Sequence, residues 1–425
     1  MLRFAPSPTR DMHIDDLRVA LFNYIVAQQR EEDFIVRMED TDKKRNIEGK
    51  DQEFLDLLAL FDIEYSQIIY QSENVRFHAA MALQLIHEKK AFSCFCSPAW
   101  IGKKQKEAET ANKAYRYDDA CRNLPAELVI DNTNPFTIRI NRPEETITIE
   151  DKIQGRVSSD PESIDSFMIM NQDKTPRYNF SSAVDDMLND ISMIVRSEEH
   201  INNTPKQIHI RNSLGYEKQI EYAHLPRLQN KESDSSNVKW LLGEGYLPEA
   251  ISNYLISIGN ETPKEIFTMS EATDWFDLNS VSSSPTHFDI DMLKRINKEH
   301  LKNLDAKELS RYVGFADAEI GELARVYLKD VNTTKELKAK IAPIFAERNI
   351  PEAFIDQTAT LAAVIKKAPY FEVYEDFKNY LLKESDIEEE NLLKPLRILF
   401  TNSEDGPDLA QIYKYLKNYL GEIVK

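Results

Sequence analysis

Glycine is what this chain has least of for its length: 11 residues in 425, where average usage near ~7% would supply about 30. Glycine serves where φ must be positive or where a backbone must lie against a ligand, so its scarcity restricts such places. Cysteine is limited to Cys94, Cys96 and Cys121, which suits a reducing, cytoplasmic compartment. No apolar run approaches the ~18 residues of a membrane span, and no basic stretch leads into a long apolar core at the N-terminus, so neither a membrane protein nor a secretory signal is expected. Positive charge is also in deficit: 53 Lys and Arg face 72 Asp and Glu, for a net −19. That balance disfavours general phosphate binding, yet a local basic face suffices for recognition. Lys294, Arg295, Lys298, His300 and Lys302 form one such cluster, or one solvated helix face.

A chain of 425 residues exceeds one core, so two to four domains are expected. Its 42% hydrophobic and 29% charged residues suit a soluble globular protein. Leu2–Ala5 reads as a strand, Leu17–Gln29 as a helix, and Phe34–Met38 as a second strand, a β-α-β unit that predicts a parallel sheet with crossover helices. Helices are expected over Asp51–Phe61, Glu73–Lys89 and Lys103–Lys113, and strands over Phe136–Ile140 and Thr146–Ile149. Residues 94–165 change character and read as an inserted domain. Apolar strands at Phe167–Met170 and Ile191–Val195 suggest that the parallel sheet then resumes. From Lys239 onward the pattern is helical, broken at Pro263, Pro285, Pro351 and Pro407. No internal repeat, low-complexity segment or sustained heptad pattern is present.

The opening Arg3-Phe-Ala-Pro-Ser-Pro-Thr9, followed by His13-Ile14, resembles the ATP-site entry of class I aminoacyl-tRNA synthetases in its glutamyl form. The likeness continues through Leu21-Phe-Asn-Tyr24, Arg37-Met-Glu-Asp-Thr-Asp42, Tyr178-Asn-Phe180, Val184-Asp-Asp186, Val195-Arg-Ser-Glu-Glu-His200, Ala223-His-Leu-Pro226 and Gly245-Tyr-Leu-Pro-Glu-Ala250. One such motif is weak; this ordered series makes chance similarity implausible. The resemblance implies an α/β fold: a Rossmann-like catalytic domain (1–93 and 166–226), an inserted acceptor-stem domain (94–165), a helical stem-contact domain (227–302) and an all-α anticodon-binding domain (303–425). It also implies glutamate and a glutamate-accepting tRNA as partners, ATP with Mg2+ as co-substrate, and a monomer.

The residues agree with the amino acid. A side-chain carboxylate is best held by a guanidinium, and Arg3 and Arg196 both fall at strand ends, where open α/β sheets bind ligands. By resemblance Arg196 clamps that carboxylate and Glu39 takes the ammonium, with Tyr178, Ser7 and Ser182 completing the wall.

The nucleotide elements depart from the family. His13 is the expected catalytic histidine, but Asp15 stands where the family favours Gly, as Arg10 and Asn402 do elsewhere. A carboxylate there opposes a polyphosphate; two like unit charges at ~4 Å repel by about 4 kcal/mol at an effective dielectric of 20. The alternative is that Asp15 and Asp16 simply cap the following helix. The second ATP element should be a Lys-x-Ser-Lys loop before Val238. Only Lys231-Glu-Ser-Asp-Ser235 stands there, with Lys231 as the catalytic remnant and Asp234 where the second lysine belongs. Losing one transition-state contact of that kind costs a few kcal/mol.

Cys94-Phe-Cys96 and Cys121, with 24 residues between the second and third, resemble the family's zinc knuckle. Asn123 matches the usual fourth ligand, a histidine, and Tyr117 is the substitute expected. Three sulfurs favour Zn2+; three buried reduced thiols are the alternative. The expected function is glutamate–tRNA ligation with impaired activation. A non-catalytic relative acting as a tRNA- or protein-binding module is the rival.

Overall fold

A computed structural model describes residues 1–229 and 237–424. The chain forms two compact units, Met1–Val238 with Leu255–Phe288, and Lys239–Tyr254 with Asp289–Lys425.

The first unit opens with β1 (Leu2–Phe4), α1 (Ile14–Gln29) and β2 (Phe34–Met38), and continues through α2 (Lys50–Leu60), β3 (Gln67–Tyr70) and α3 (Val75–His87). β1, β2 and β3 pair in parallel. Every residue of β1 and β2 is buried, as a sheet covered on both faces requires. α1 buries Leu17, Ala20, Leu21, Phe22, Ile25 and Val26, a stripe at helical spacing. After β4 (Ala91–Cys94), α4 (Pro98–Thr110), α5 (Ala126–Ile130) and β5 (Thr137–Ile140) come β6 (Ile147–Asp151), β7 (Gly155–Ser159) and β8 (Met168–Met170). Then follow α6 (Tyr178–Leu188), β9 (Met193–Ser197), α7 (Thr204–Ser213), β10 (Glu221–Leu225) and β11 (Leu228–Gln229), which pairs with β12 (Thr286–His287). β9, β10 and β6 are parallel to one another, and β7 closes that edge in antiparallel fashion. The Ser192 amide donates to the Met1 carbonyl at 3.0 Å, so β9 runs beside β1 and the two parallel groups abut.

Two strands go elsewhere than the sequence suggested. β8 does not rejoin the parallel sheet: it pairs antiparallel with β5, which pairs antiparallel with β4. β6, expected within the insertion, instead joins β10 in the parallel sheet through Asp151 opposite Tyr222. Apolar runs of three to five residues identify a strand but not its partner, which is fixed by contacts distant in sequence. The Lys103–Lys113 helix begins earlier, at Pro98, because Ser97 caps it, accepting from the Trp100 amide, and Pro98 sits at the first turn.

Helices are the only regular elements among the described residues of the second unit. Its helices include Ile290–Asn303, Ala306–Val313, Ala318–Tyr327, Thr334–Phe345, Tyr374–Ser385, Glu389–Thr401 and Leu409–Leu416. Asn402 ends one of them at φ 58. Asparagine is the usual substitute for glycine in that left-handed position. Its amide also donates to the Glu347 carbonyl and accepts from the Asn349 amide, contacts that glycine could not make.

Gly321 tolerates nothing larger. A Cβ there would lie 1.7 Å from the Ala306 carbonyl oxygen on the neighbouring helix. Gly321→Ala must therefore separate two packed helices, at a cost of about 3 kcal/mol. Denaturant unfolding followed by circular dichroism should show a less stable helical unit; an unchanged midpoint would contradict this packing.

Candidate active site

Tyr178, Ser182 and Asp186 lie four residues apart on α6, so they share one face of that helix. This face meets the ends of β1 and β2. Asp186 Oδ1 accepts from Arg3 Nε at 3.1 Å and from Arg37 Nη1 at 2.6 Å. Arg37 Nη2 also reaches Glu39 Oε1 at 3.3 Å, and Ser182 Oγ donates to the same oxygen at 2.9 Å. Arg37 and Asp186 are wholly buried. Burial alone would raise the Asp186 carboxyl, but Arg37 and Arg3 outweigh it and hold the group well below the usual carboxylate range. At Glu39 burial wins and the pKa rises despite Arg37. Glu39 is thus a carboxyl already supplied with donors on one oxygen.

Beside this cluster stands Arg196 on β9. It is 6% exposed, yet its partners are all neutral. Nε donates to His224 Nε2 at 3.1 Å, and Nη2 to Thr204 Oγ1 at 2.6 Å and to the His200 carbonyl at 3.4 Å. No carboxylate among the described residues pairs with it. His200 Nδ1 lies 3.2 Å from the Tyr178 hydroxyl, joining Tyr178 to the same wall. Burial, with Arg196 and Arg3 nearby, lowers the His200 pKa to about 4. Arg3, Glu39, Ser182, Tyr178 and Arg196 are therefore brought together through Asp186 and His200. Ser7 is exposed in the loop after β1.

The His13 turn is closed on itself. His13 caps α1: its Nδ1 accepts from the Asp15 amide at 3.1 Å, while Asp16 accepts from the His13 amide at 2.9 Å. Arg10 pairs with Asp16 at 2.7 Å, so the Arg10 and Asp16 side chains neutralise one another. Asp15 does not cap its own helix. Its Oδ1 accepts from the Leu228 amide at 3.0 Å, and its other oxygen lies 3.4 Å from His13 Nδ1. The Val238 amide donates to the Met12 carbonyl at 3.1 Å and His13 forms an isolated bridge with Asn237. Lys231 and Asp234 lie outside the described residues.

The cysteines converge. The sulfurs of Cys94, Cys96 and Cys121 all lie within 4.8 Å of one another, with Cys96 and Cys121 3.6 Å apart. The Tyr117 hydroxyl is 3.4 Å from Cys94 Sγ and 3.5 Å from Cys96 Sγ. A tetrahedron with Zn–S bonds of ~2.3 Å has edges of roughly 3.8 Å, so this donor set has the size for zinc. Arg139 donates to Cys94 Sγ at 3.4 Å and stacks over the Tyr117 ring, placing a cation beside the sulfurs.

The basic cluster is less available than its sequence suggests. Lys294 pairs with Asp291, Lys302 with Glu299, Lys298 donates to the Lys329 carbonyl, and His300 meets Asn253.

The model of the class I tRNA synthetase (E and Q) catalytic domain matches residues 1–295. This chain belongs to that family. It is 64% identical to glutamate–tRNA ligase 2 of Sulfurimonas denitrificans over 432 aligned positions, covering 100% of both chains. Glutamate–tRNA ligase 1 of Nitratiruptor sp. is 47% identical with the same coverage. The crystal structure of a glutamate tRNA ligase from Elizabethkingia meningosepticum in complex with its amino acid aligns with a TM-score of 0.83, covering 99% of this chain and 97% of that one, at 22% identity. That last likeness speaks for the fold.

For a synthetase of this class the geometry adds residues that the sequence did not single out by role. Asp186 was one further step of four along the Tyr178–Ser182 face. His224, Asp151 and Thr204 carried no such signal, because strand pairing assembles them.

Replacing Asp186 leaves Arg3 and Arg37 buried without their shared counterion, and breaking such a pair costs about 3–5 kcal/mol. Asp186→Asn should therefore unfold at markedly lower denaturant. Since its pKa is depressed in the fold, the carboxylate's contribution is complete above pH ~4 and is lost only as pH falls further. A variant as stable as the natural protein at pH 7 would refute this role.

Proposed function

We propose that this protein is a glutamate–tRNA ligase with a formed glutamate pocket and an impaired ATP site. The observation that carries the pocket is Arg196, a buried guanidinium with only neutral partners, placed beside Glu39, Tyr178 and Ser182. Arg196 takes the substrate's side-chain carboxylate, an interaction strengthened by burial. Glu39 takes the ammonium, Tyr178 and Ser182 line the wall, and Arg3 supplies further positive field; Ser7 is assigned to the wall by family resemblance, from an exposed position in the loop after β1. Relatives named as glutamate–tRNA ligases along the whole length of the chain support the same substrates: glutamate, ATP with Mg2+, and tRNA. The reaction forms glutamyl-adenylate with release of pyrophosphate. Attack by the terminal adenosine of tRNA then displaces AMP. The protein supplies positioning and charge stabilisation.

Impairment follows from the His13 turn. The helix N-terminus that should meet the nucleotide is occupied by its own cap, and the Asp15 carboxylate stands at that end, fixed to the Leu228 amide. Between Gln229 and Asn237 the sequence offers a single lysine, Lys231, with Asp234 in place of a second. Magnesium masks part of the repulsion without replacing the lysine.

The test is pyrophosphate exchange with glutamate and tRNA. The natural protein should exchange slowly, and Asp15→Gly should raise the rate at least about tenfold, equivalent to about 1.4 kcal/mol in the barrier. Ordinary synthetase rates in the natural protein would sink the impairment. Absence of exchange in Asp15→Gly together with Asp234→Lys, while tRNA still binds, favours the non-catalytic module.

Cys94, Cys96, Cys121 and Tyr117 hold zinc, which serves as a structural crosslink where the local core is small. Elemental analysis of freshly purified protein should give about one zinc per chain, lost in Cys94→Ser with Cys121→Ser. Zinc-free natural protein, or a double variant that retains the metal, contradicts the assignment.

A further inference from the structure

Arg196 is aimed by a histidine. His224 on β10 stands opposite Arg196 on β9 in the parallel register. It is wholly buried. Its Nδ1 lies 2.6 Å from Asp151 Oδ2, at the end of β6. Asp151 is itself fixed, because Oδ1 accepts from the amides of Ile153 (3.0 Å), Gln154 (2.8 Å) and His224 (3.2 Å). Three neighbouring strands thus supply three links of one chain, Asp151 to His224 to Arg196.

The donors and acceptors dictate the imidazole's state. A guanidinium only donates, so His224 Nε2 must accept from Arg196 Nε. The single ring proton then sits on Nδ1 and is donated to Asp151. A doubly protonated ring would turn Nε2–H toward Nε–H and add a second cation beside Arg196. The choice of a neutral histidine also matters for the guanidinium. A carboxylate at that position would orient Arg196 equally well but would compete with the substrate for its charge.

We propose that His224, with its tautomer set by Asp151, is a positioning residue that aims Arg196 at the glutamate side chain while leaving its charge free, so that glutamate binding requires the neutral imidazole. This rests on the reading above in which Arg196 takes the substrate carboxylate.

The groups facing the ring are Asp151 from β6, Arg196 from β9, Arg3 from β1, Thr204 from α7, whose hydroxyl is 3.0 Å from Nε2, and the stacked ring of Tyr222 on its own strand. Burial lowers the His224 pKa; Asp151 opposes this, and Arg196 and Arg3 reinforce it. Protonation therefore falls on the acid side of the ordinary histidine value. Glutamate affinity should weaken as pH drops through that range.

The experiment is calorimetric titration of the full-length protein with L-glutamate between pH 5.5 and 8, using the natural chain, His224→Leu and His224→Gln. His224→Leu should bind glutamate at least tenfold more weakly at pH 7.5, with glutamine binding little changed. In His224→Gln the carboxamide oxygen can accept from Arg196, so affinity at pH 7.5 should recover to within threefold. The acid-side weakening should then be smaller than in the natural protein, and what remains belongs to Glu39. Glutamate affinity in His224→Leu equal to that of the natural protein overturns the proposal. So does an acid-side profile in His224→Gln identical to the natural one, and that comparison stands alone if His224→Leu does not fold. Failure of the natural protein to bind glutamate at pH 7.5 overturns the pocket assignment together with this proposal.

Discussion

Asp186 between Arg3 and Arg37 is the interaction from which the candidate site is built. Arginines on two adjacent parallel strands would repel one another in a buried setting. One carboxylate from α6, accepting from both, makes the pair tenable. The same contact fixes the rotation of α6, because Tyr178 and Ser182 share its face. Ser182 then reaches Glu39, and Tyr178 reaches His200. A buried ion cluster of this kind is costly to assemble and adds little net stability compared with apolar packing. Its value lies in orientation: it holds charged groups where a small zwitterion with a second carboxylate could meet them.

The two halves of the candidate site treat charge oppositely. On the amino-acid side, Arg196 is surrounded by neutral acceptors and keeps its field directed outward. On the nucleotide side, the charges are internally satisfied. Arg10 meets Asp16, Lys50 meets Asp11, and Asp15 meets a backbone amide. The amides and charges at the His13 turn are thus met by side chains of the same turn.

Much of this was legible in the sequence. Phe34–Met38 reads as a strand and forms one with the same bounds, and α1, α2 and α3 lie within a few residues of their expected ends, because short apolar runs and helical spacing are local properties. The convergence of Cys94, Cys96, Tyr117 and Cys121 was also readable from spacing and likeness. Strand partnership was not. β6 and β8 each exchange the expected sheet for another, and nothing within four or five residues encodes that choice. For the same reason Asp151 and His224, 73 residues apart, gave no hint that they meet behind Arg196. Asp15 was ambiguous between a cap and an intruding charge. His13 is the cap and Asp16 closes the box by accepting from the His13 amide, while Asp15 reaches across to Leu228, a partner 213 positions away.

The central claim is an intact amino-acid pocket joined to a compromised nucleotide turn. Equilibrium titration of one preparation of the natural protein with L-glutamate and, separately, with magnesium ATP tests it most directly. The account predicts saturable glutamate binding that is lost in Arg196→Gln, beside ATP binding that is weak and is strengthened in Asp15→Gly. Tight ATP binding in the natural protein, or glutamate binding indifferent to Arg196, would contradict it.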